Sequence, residues 1–217
     1  MQINDISKNS GIIQQYLTEL RDINVQKERR RFRDNIERIG AFLGYEMSKT
    51  LPYESYPILS PLAKAVGFKT TQPIVVCSVL RAGLTLHQGL LSCFTEAESA
   101  FIAAYRAHSD DKNFTIKIDY RAAPKLDGKT LILADPMLAT GQTFLAALEA
   151  LKPLGKPKNV HLISVIGSAS GVKKLSEELM GQPIQLWIST IDKDLNDFGY
   201  IVPGLGDAGD LSYGEKY

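Results

Sequence analysis

The sequence predicts an α/β fold: a central, mostly parallel sheet flanked by helices, with a β-hairpin arm and a C-terminal loop region. Three observations lead there. Short, almost wholly apolar runs recur between residues 73 and 190, as strands covered on both faces require. A stretch of helical length follows most of them, the alternation that builds parallel sheets. One run, "FTIKIDYR" (114–121), instead alternates Phe114, Ile116, Ile118 and Tyr120 with polar neighbours. That is the pattern of a half-exposed strand, one arm of a hairpin.

Taken in order, residues 11–49 read as helical. Phe32, Ile36, Ile39, Leu43 and Met47 recur at spacings of four and three, which marks one face of a helix. Pro52 and Pro57 then break the pattern. "PIVVCSVL" (73–80) is a strand, followed by "RAG" and the helical "LTLHQGLLSCF"; "SAFIAAYR" (99–106) is the next strand. "KTLILAD" (129–135) is the most buried strand candidate, with a helix expected over about 142–152. Strand 159–167, helix 171–180 and strand 183–190 complete the alternation. The tail crowds five glycines and a proline between Gly199 and Gly214, yet keeps Tyr200, Ile201, Val202 and Leu205. That mixture reads as an ordered loop with closely approaching backbone.

With 217 residues and 44% hydrophobic content, the chain has enough apolar material for one sizeable domain. Its net charge of +1 lacks the basic excess of a protein that holds nucleic acid electrostatically. Two cysteines, Cys77 and Cys93, fit a reducing compartment and read as core residues. No signal-peptide core and no apolar run of membrane-spanning length occurs, so a soluble cytoplasmic protein is expected.

The chemistry concentrates in "ADPMLATGQT" (134–143). Ligands of open parallel sheets bind beyond the carboxyl ends of the strands, where Asp135 stands. The turn leads into a helix whose N-terminal N–H groups favour an anion. Gly141 permits close approach, Thr140 and Thr143 supply hydroxyls, and Asp135 suits sugar hydroxyls or a hydrated metal ion. The loop is either a phosphate cradle or an ordinary helix cap; it lacks the lysine of a nucleotide-triphosphate loop and the glycines of a dinucleotide fingerprint. Arg81 and Arg106 follow strand candidates and would emerge at the same rim, two guanidinium forks suited to a second phosphate group or to surface ion pairs.

"ADPMLATGQT", "LRAGL" (80–84), "ERIGAFLGYEMSKTLP", "IDKDLN" (191–196) and "GYIVPGLGDAGD" (199–210) together resemble the uracil phosphoribosyltransferases, a type I phosphoribosyltransferase family. The resemblance spans roughly residues 29–212. It implies transfer of a phosphoribosyl group from 5-phospho-α-D-ribose 1-diphosphate (PRPP) to uracil, giving UMP and diphosphate in pyrimidine salvage. It implies one domain over 1–217, with a helical segment 11–50, a hairpin arm near 107–127 and a base-binding segment near 191–212. By the family pattern PRPP meets Arg81, Arg106, Asp135, Pro136, Met137, Leu138, Ala139, Thr140, Gly141, Gln142, Thr143 and Asp207. Uracil meets Ile201, Gly206, Asp207 and Ala208. Arg106, Asp135 and Asp207 would stabilise the transition state and leaving group without a covalent nucleophile. The family uses magnesium; Ala134 beside Asp135 leaves no second acid, so the ion is expected on substrate and water. Homodimers or larger assemblies are implied as well.

One departure stands out: "AHSDD" (107–111) replaces the family's "D/N-E-x-T" stretch after Arg106. The basic cluster of Lys27, Arg29, Arg30, Arg31 and Arg33 admits three readings: a solvated helix face, a subunit contact, or an anion site such as the GTP effector site of some members. A regulatory protein that binds PRPP or UMP with little turnover is the alternative to the enzyme.

Overall fold

The computed structural model describes residues 1–8, 11–110 and 113–216, with the side chains of 106–115 outside that description. β1 (Gln2–Asp5) precedes a single 3-10 turn, α1 (Ile12–Arg21) and α2 (Arg29–Ser48). A hairpin follows, β2 (Tyr53–Leu59) and β3 (Lys64–Thr70). Next come β4 (Ile74–Leu80), α3 (Gly83–Cys93), β5 (Glu98–Asp110), β6 (Asn113–Ala122), β7 (Thr130–Ala134) and the short β8 (Met137–Leu138). The chain continues through α4 (Gln142–Leu151), β9 (Asn159–Ser168), α5 (Ala169–Glu178) and β10 (Ile184–Asp192). It ends with β11 (Asp194–Leu195), β12 (Ile201–Val202) and α6 (Ala208–Tyr213).

The main sheet has the order β1-β10-β9-β7-β4-β5-β6, with β8 added against the end of β9. Every pairing is parallel except β5 with β6. Parallel strands need both faces covered, and alternate residues of each central strand do divide between two cores. Val76, Ile132, Ala134, Ile163 and Trp187 face the core shared with α1, α2, α3 and α6. Val75, Cys77, Leu131, Leu133 and Leu186 face the core under α4 and α5. The α2 stripe read from the sequence is buried throughout, Phe32, Ile36, Ile39, Leu43 and Met47 each being 0–1% exposed. Each such side chain contributes roughly 1.5–3 kcal/mol of transfer free energy.

Several features escape the sequence reading. β1 extends the sheet beside β10, in register Ile3 with Leu186. The segment after Pro52 forms the separate hairpin β2–β3, exposed along most of its length. Cys93 lies on the surface, its thiol donating to the Ala41 carbonyl, whereas Cys77 is buried as expected. A helix places only part of its circumference in the core, and Cys93 sits at the end of α3, where that burial stops.

α2 packs on α3 through glycines. A Cβ on Gly89 would lie 2.0 Å from the Glu37 carbonyl oxygen, and one on Gly40 would lie 2.9 Å from that of Leu86. Backbone cannot yield as a side-chain tip can, so Gly89→Ala must push the helices apart. We expect a loss of about 3 kcal/mol in urea unfolding; a loss under 0.5 kcal/mol would mean that the contact relaxes freely.

Candidate functional site

Because β4, β5, β7 and β9 run parallel, their carboxyl ends share one rim. A cavity of about 900 Å³ opens there. Its walls come from the turn after β4, the loop between β7 and α4, the β5–β6 arm and the C-terminal loop.

The loop after β7 is held in place before any ligand arrives. Pro136 accepts hydrogen bonds through its carbonyl from the backbone of Val165 (3.2 Å) and Ile166 (3.0 Å). Met137 and Leu138 then pair with Ile166 and Gly167 as β8. Ser168 donates its hydroxyl to the Ala139 carbonyl at 2.5 Å and accepts from the Gly171 N–H at 2.9 Å, capping α5 with the same atom. Close approach requires the glycines: a Cβ on Gly171 would sit 2.1 Å from the Ala139 oxygen. Gly141 has φ +77°, a left-handed conformation that glycine adopts without strain. The N-cap Gly141 offers α4 no side chain, and only a long contact of 3.5 Å joins the Gln142 N–H to Thr140 Oγ1, so the first-turn N–H groups suit an anion.

Asp135 is buried at the end of β7, with Oδ1 accepting from the Met137 N–H at 3.1 Å. Burial pushes its carboxyl up to about 7, helped by the nearby Asp207 charge and opposed by the Met137 N–H. Asp207 behaves oppositely. Burial raises it, but the Asp210 N–H, the Lys216 ammonium and the Gly209 N–H together hold it below the ordinary carboxylate range. It caps α6, with Oδ1 accepting from Gly209 (2.8 Å) and Asp210 (3.0 Å).

The C-terminal loop is anchored by charge. Arg21 grips both oxygens of Asp192 at 2.7 Å and donates to the Gly204 carbonyl at 3.0 Å. Asp192 in turn accepts from the Gly204 N–H at 2.9 Å. Gly204 has φ +62°, and a Cβ there would meet the Ile201 oxygen at 2.0 Å. This tight turn brings Ile201, Gly206, Asp207 and Ala208 to the cavity wall.

Of the residues expected from the sequence, Arg81, Asp135, Met137, Leu138, Ala139, Thr140, Gly141, Thr143, Ile201, Gly206, Asp207 and Ala208 line this one cavity. Pro136 and Gln142 stand behind it: the first ties the loop to β9, and the second begins α4. Arg106 lies in β5 opposite Ile116, with its side chain outside the described residues. The "AHSDD" departure falls in the same stretch; Ala107 to Asp110 are in β5, and Asp111 is not described.

Tyr105, Asp119, Tyr200 and Lys216 also line the cavity and were not predicted as site residues. Asp119 is the extra residue of a bulge, since Ala103 pairs with Tyr120 and Ala104 with Ile118. Bulges re-aim side chains at the edges of sites, and only the pairing register reveals one. Buried Cys77 is pushed up to about 12, which leaves it an inert thiol. His87 is buried between the hydroxyls of Ser78 (2.8 Å) and Ser99 (3.0 Å), away from the cavity wall. Among the described residues no cluster of three or more His, Cys, Asp or Glu side chains could hold a metal.

Comparison with known proteins bears on the family and the fold. The family model for uracil phosphoribosyltransferase matches residues 7–214. A uracil phosphoribosyltransferase of Porphyromonas gingivalis is 40% identical over 216 residues, covering 100% of both chains. One from Methanococcus maripaludis is 37% identical over 97% of this chain and 89% of its own. Among solved structures, the AQ2163 protein of Aquifex aeolicus superposes with a TM-score of 0.86 at 27% identity, covering 98% of each chain. A hypoxanthine phosphoribosyltransferase of Staphylococcus aureus shares the fold at a TM-score of 0.52 and 14% identity, over 75% of this chain and 76% of its own. With a family model matching nearly its whole length and a relative 40% identical from end to end, the chain belongs to the uracil phosphoribosyltransferase family.

Proposed function

We propose that the chain transfers the 5-phosphoribosyl group from PRPP to uracil, giving UMP and diphosphate, as one phosphoribosyltransferase domain in cytoplasmic pyrimidine salvage. The observation that carries this reading is the convergence of the phosphate loop, Arg81 and the glycine-rich C-terminal loop on one cavity. No helix among the described residues is long and apolar enough to cross a membrane.

The uncapped start of α4, with Thr140 and Thr143, receives the ribose 5-phosphate. Asp135 receives the ribose hydroxyls. Arg81 and Arg106 receive the diphosphate, and backbone near Ile201 and Gly206 to Ala208 reads the polar edge of uracil. As the glycosidic bond to diphosphate breaks, positive charge develops on the ribose ring and negative charge on the leaving group. Fixed guanidinium groups stabilise the latter best when water is excluded. The oxygens of Asp207 are already engaged by N–H groups and Lys216, and Asp135 is a single buried carboxyl. That donor set fits magnesium carried on the substrate and reached through water, where it would neutralise charge on the diphosphate.

Self-association has a candidate surface in β2–β3. Tyr53, Phe68, Val66 and Leu59 lie on one face of the hairpin and Tyr56 and Ile58 on the other, all at least 38% exposed. A two-stranded ribbon with apolar side chains on both faces is marginal in water by itself. A second copy of the chain covers both arms at once by two-fold exchange. For GTP, the basic cluster offers less than its sequence suggests. Arg31 is engaged by Glu19 and Arg33 by the Ser212 carbonyl.

Three outcomes test these readings. With PRPP, magnesium and each nucleobase, UMP should form from uracil, and Arg106→Ala should lower kcat/KM for PRPP on the order of 100-fold while leaving the unfolding midpoint in place. Turnover of another base instead of uracil would overturn the assignment, and ligand binding without turnover would favour the regulatory alternative. Asp135→Asn should lose turnover yet gain stability at high pH. The raised carboxyl binds its proton more tightly folded than unfolded, so its contribution to stability falls as pH rises from about 4 to about 7. Calorimetry should show the variant more stable by about 4 kcal/mol at pH 8, the gap narrowing toward pH 4. A gap independent of pH would exclude this origin. Finally, Phe68→Asp should shift sedimentation from dimer or larger toward monomer, and an unchanged profile would remove the hairpin from the interface.

A further inference from the structure

The C-terminal tail brings a second cation to the site. Lys216 lines the cavity, with Nζ 3.2 Å from Asp207 Oδ2 and 3.8 Å from Asp210 Oδ1. Arg81 donates to the same Asp210 oxygen at 2.9 Å and to the Gly214 carbonyl at 3.1 Å. Asp210 therefore serves as a common counter-ion to both cations. The chain just before Lys216 is tied down at three successive residues. Arg33 donates to the Ser212 carbonyl at 2.7 Å, Tyr213 and Thr85 share a hydroxyl hydrogen bond of 2.5 Å, and the Gly214 N–H donates to the Asp210 carbonyl at 2.8 Å.

We propose that Lys216 is a binding residue for the diphosphate end of PRPP, and that Asp210 is a positioning residue that holds Lys216 and Arg81 at the mouth of the cavity until the anion takes them over. The proposal rests on the PRPP reading above and adds to it the role of the tail. Lys216 and Arg81 are 67% and 43% exposed, and their acidic partners about 30%. Ion pairs this wet are worth about 0–1 kcal/mol each, so they hold the side chains in place without locking them. A diphosphate offers several charged oxygens to the same two cations and forms stronger, charge-assisted hydrogen bonds. Exchange of partners then needs only side-chain rotation, because the backbone of α6 and the tail stays anchored. It also leaves Asp207 without its ammonium partner, free to face the positive charge that develops on the ribose.

The test uses Lys216→Met, which keeps the length and removes the charge, and Lys216→Arg, which restores it. Lys216 is an exposed tail residue, so neither change threatens folding. In steady-state assays Lys216→Met should raise KM for PRPP about tenfold, with KM for uracil within about twofold, and Lys216→Arg should recover most of the loss. Binding of inorganic diphosphate, followed by titration calorimetry without turnover, should weaken by a similar factor. Asp210→Asn should weaken diphosphate by a smaller factor, because both cations lose the partner that holds them at the mouth of the cavity. Equal diphosphate affinity in wild type and Lys216→Met would overturn the proposal whether or not UMP is formed. A change confined to KM for uracil would also overturn it, placing Lys216 in support of the base loop. Unchanged or tighter diphosphate binding in Asp210→Asn would refute the holding role of Asp210. Failure of the wild type to make UMP while diphosphate still distinguishes the variants would count against the transferase reading alone.

Discussion

The parallel pairing of β4 with β5 and β7, and of β7 with β9, is the constraint from which the rest of the molecule follows. Parallel strands send all their carboxyl ends to one rim, so the turns after β4 and β7 become neighbours although some 50 residues apart. The same pairing leaves no face of the central strands open to water. Two helical layers must cover it, and the layer that holds α2 and α3 needs glycine at 40 and 89 to approach closely enough. A sheet buried on both sides is also rigid, which lets a single-residue bulge at Asp119 aim one side chain at the cavity.

The C-terminal loop depends on residues from the opposite end of the chain. Arg21, the last residue of α1, fixes Asp192 and Gly204 with a two-pronged grip. Arg33 in α2 holds the carbonyl of Ser212, and Arg31 is matched by Glu19, whose carboxyl this partner draws down to about 2. The basic stretch at 27–33 thus works in part as internal fastening. Its charges align α1, α2 and α6, and through them the wall that carries Asp207.

Electrostatic cost is concentrated at the cavity. Asp135 is held where its charge is disfavoured, while Asp207, at the start of α6, is kept ionised by N–H groups and an ammonium. Two carboxyl groups with opposite tendencies in one cavity form an arrangement that a charged substrate can reorganise on binding. In the core, burial pushes Cys77 up to about 12 and His161 down to about 4, so both remain neutral there.

Periodicity alone determined much of this protein. The apolar stripe of α2, the buried run of β7 and the half-exposed alternation of β6 are local patterns, because burial on one side or two writes itself into spacings of 3.6 and 2. The turn after β7 was legible as a strand-to-helix loop because strand, small residues and helix start are adjacent in the chain. Only tertiary structure decided what depends on distant partners. β1 has four residues and no pattern of its own until β10 offers it an edge. The β2–β3 hairpin is apolar on both faces without a core to explain it. Asp119 gains its position from a pairing register, and Lys216 from a tail folded back onto Arg81, Asp207 and Asp210. None of these is encoded by neighbouring residues, because each is fixed by contacts that exist only once the sheet has closed its order.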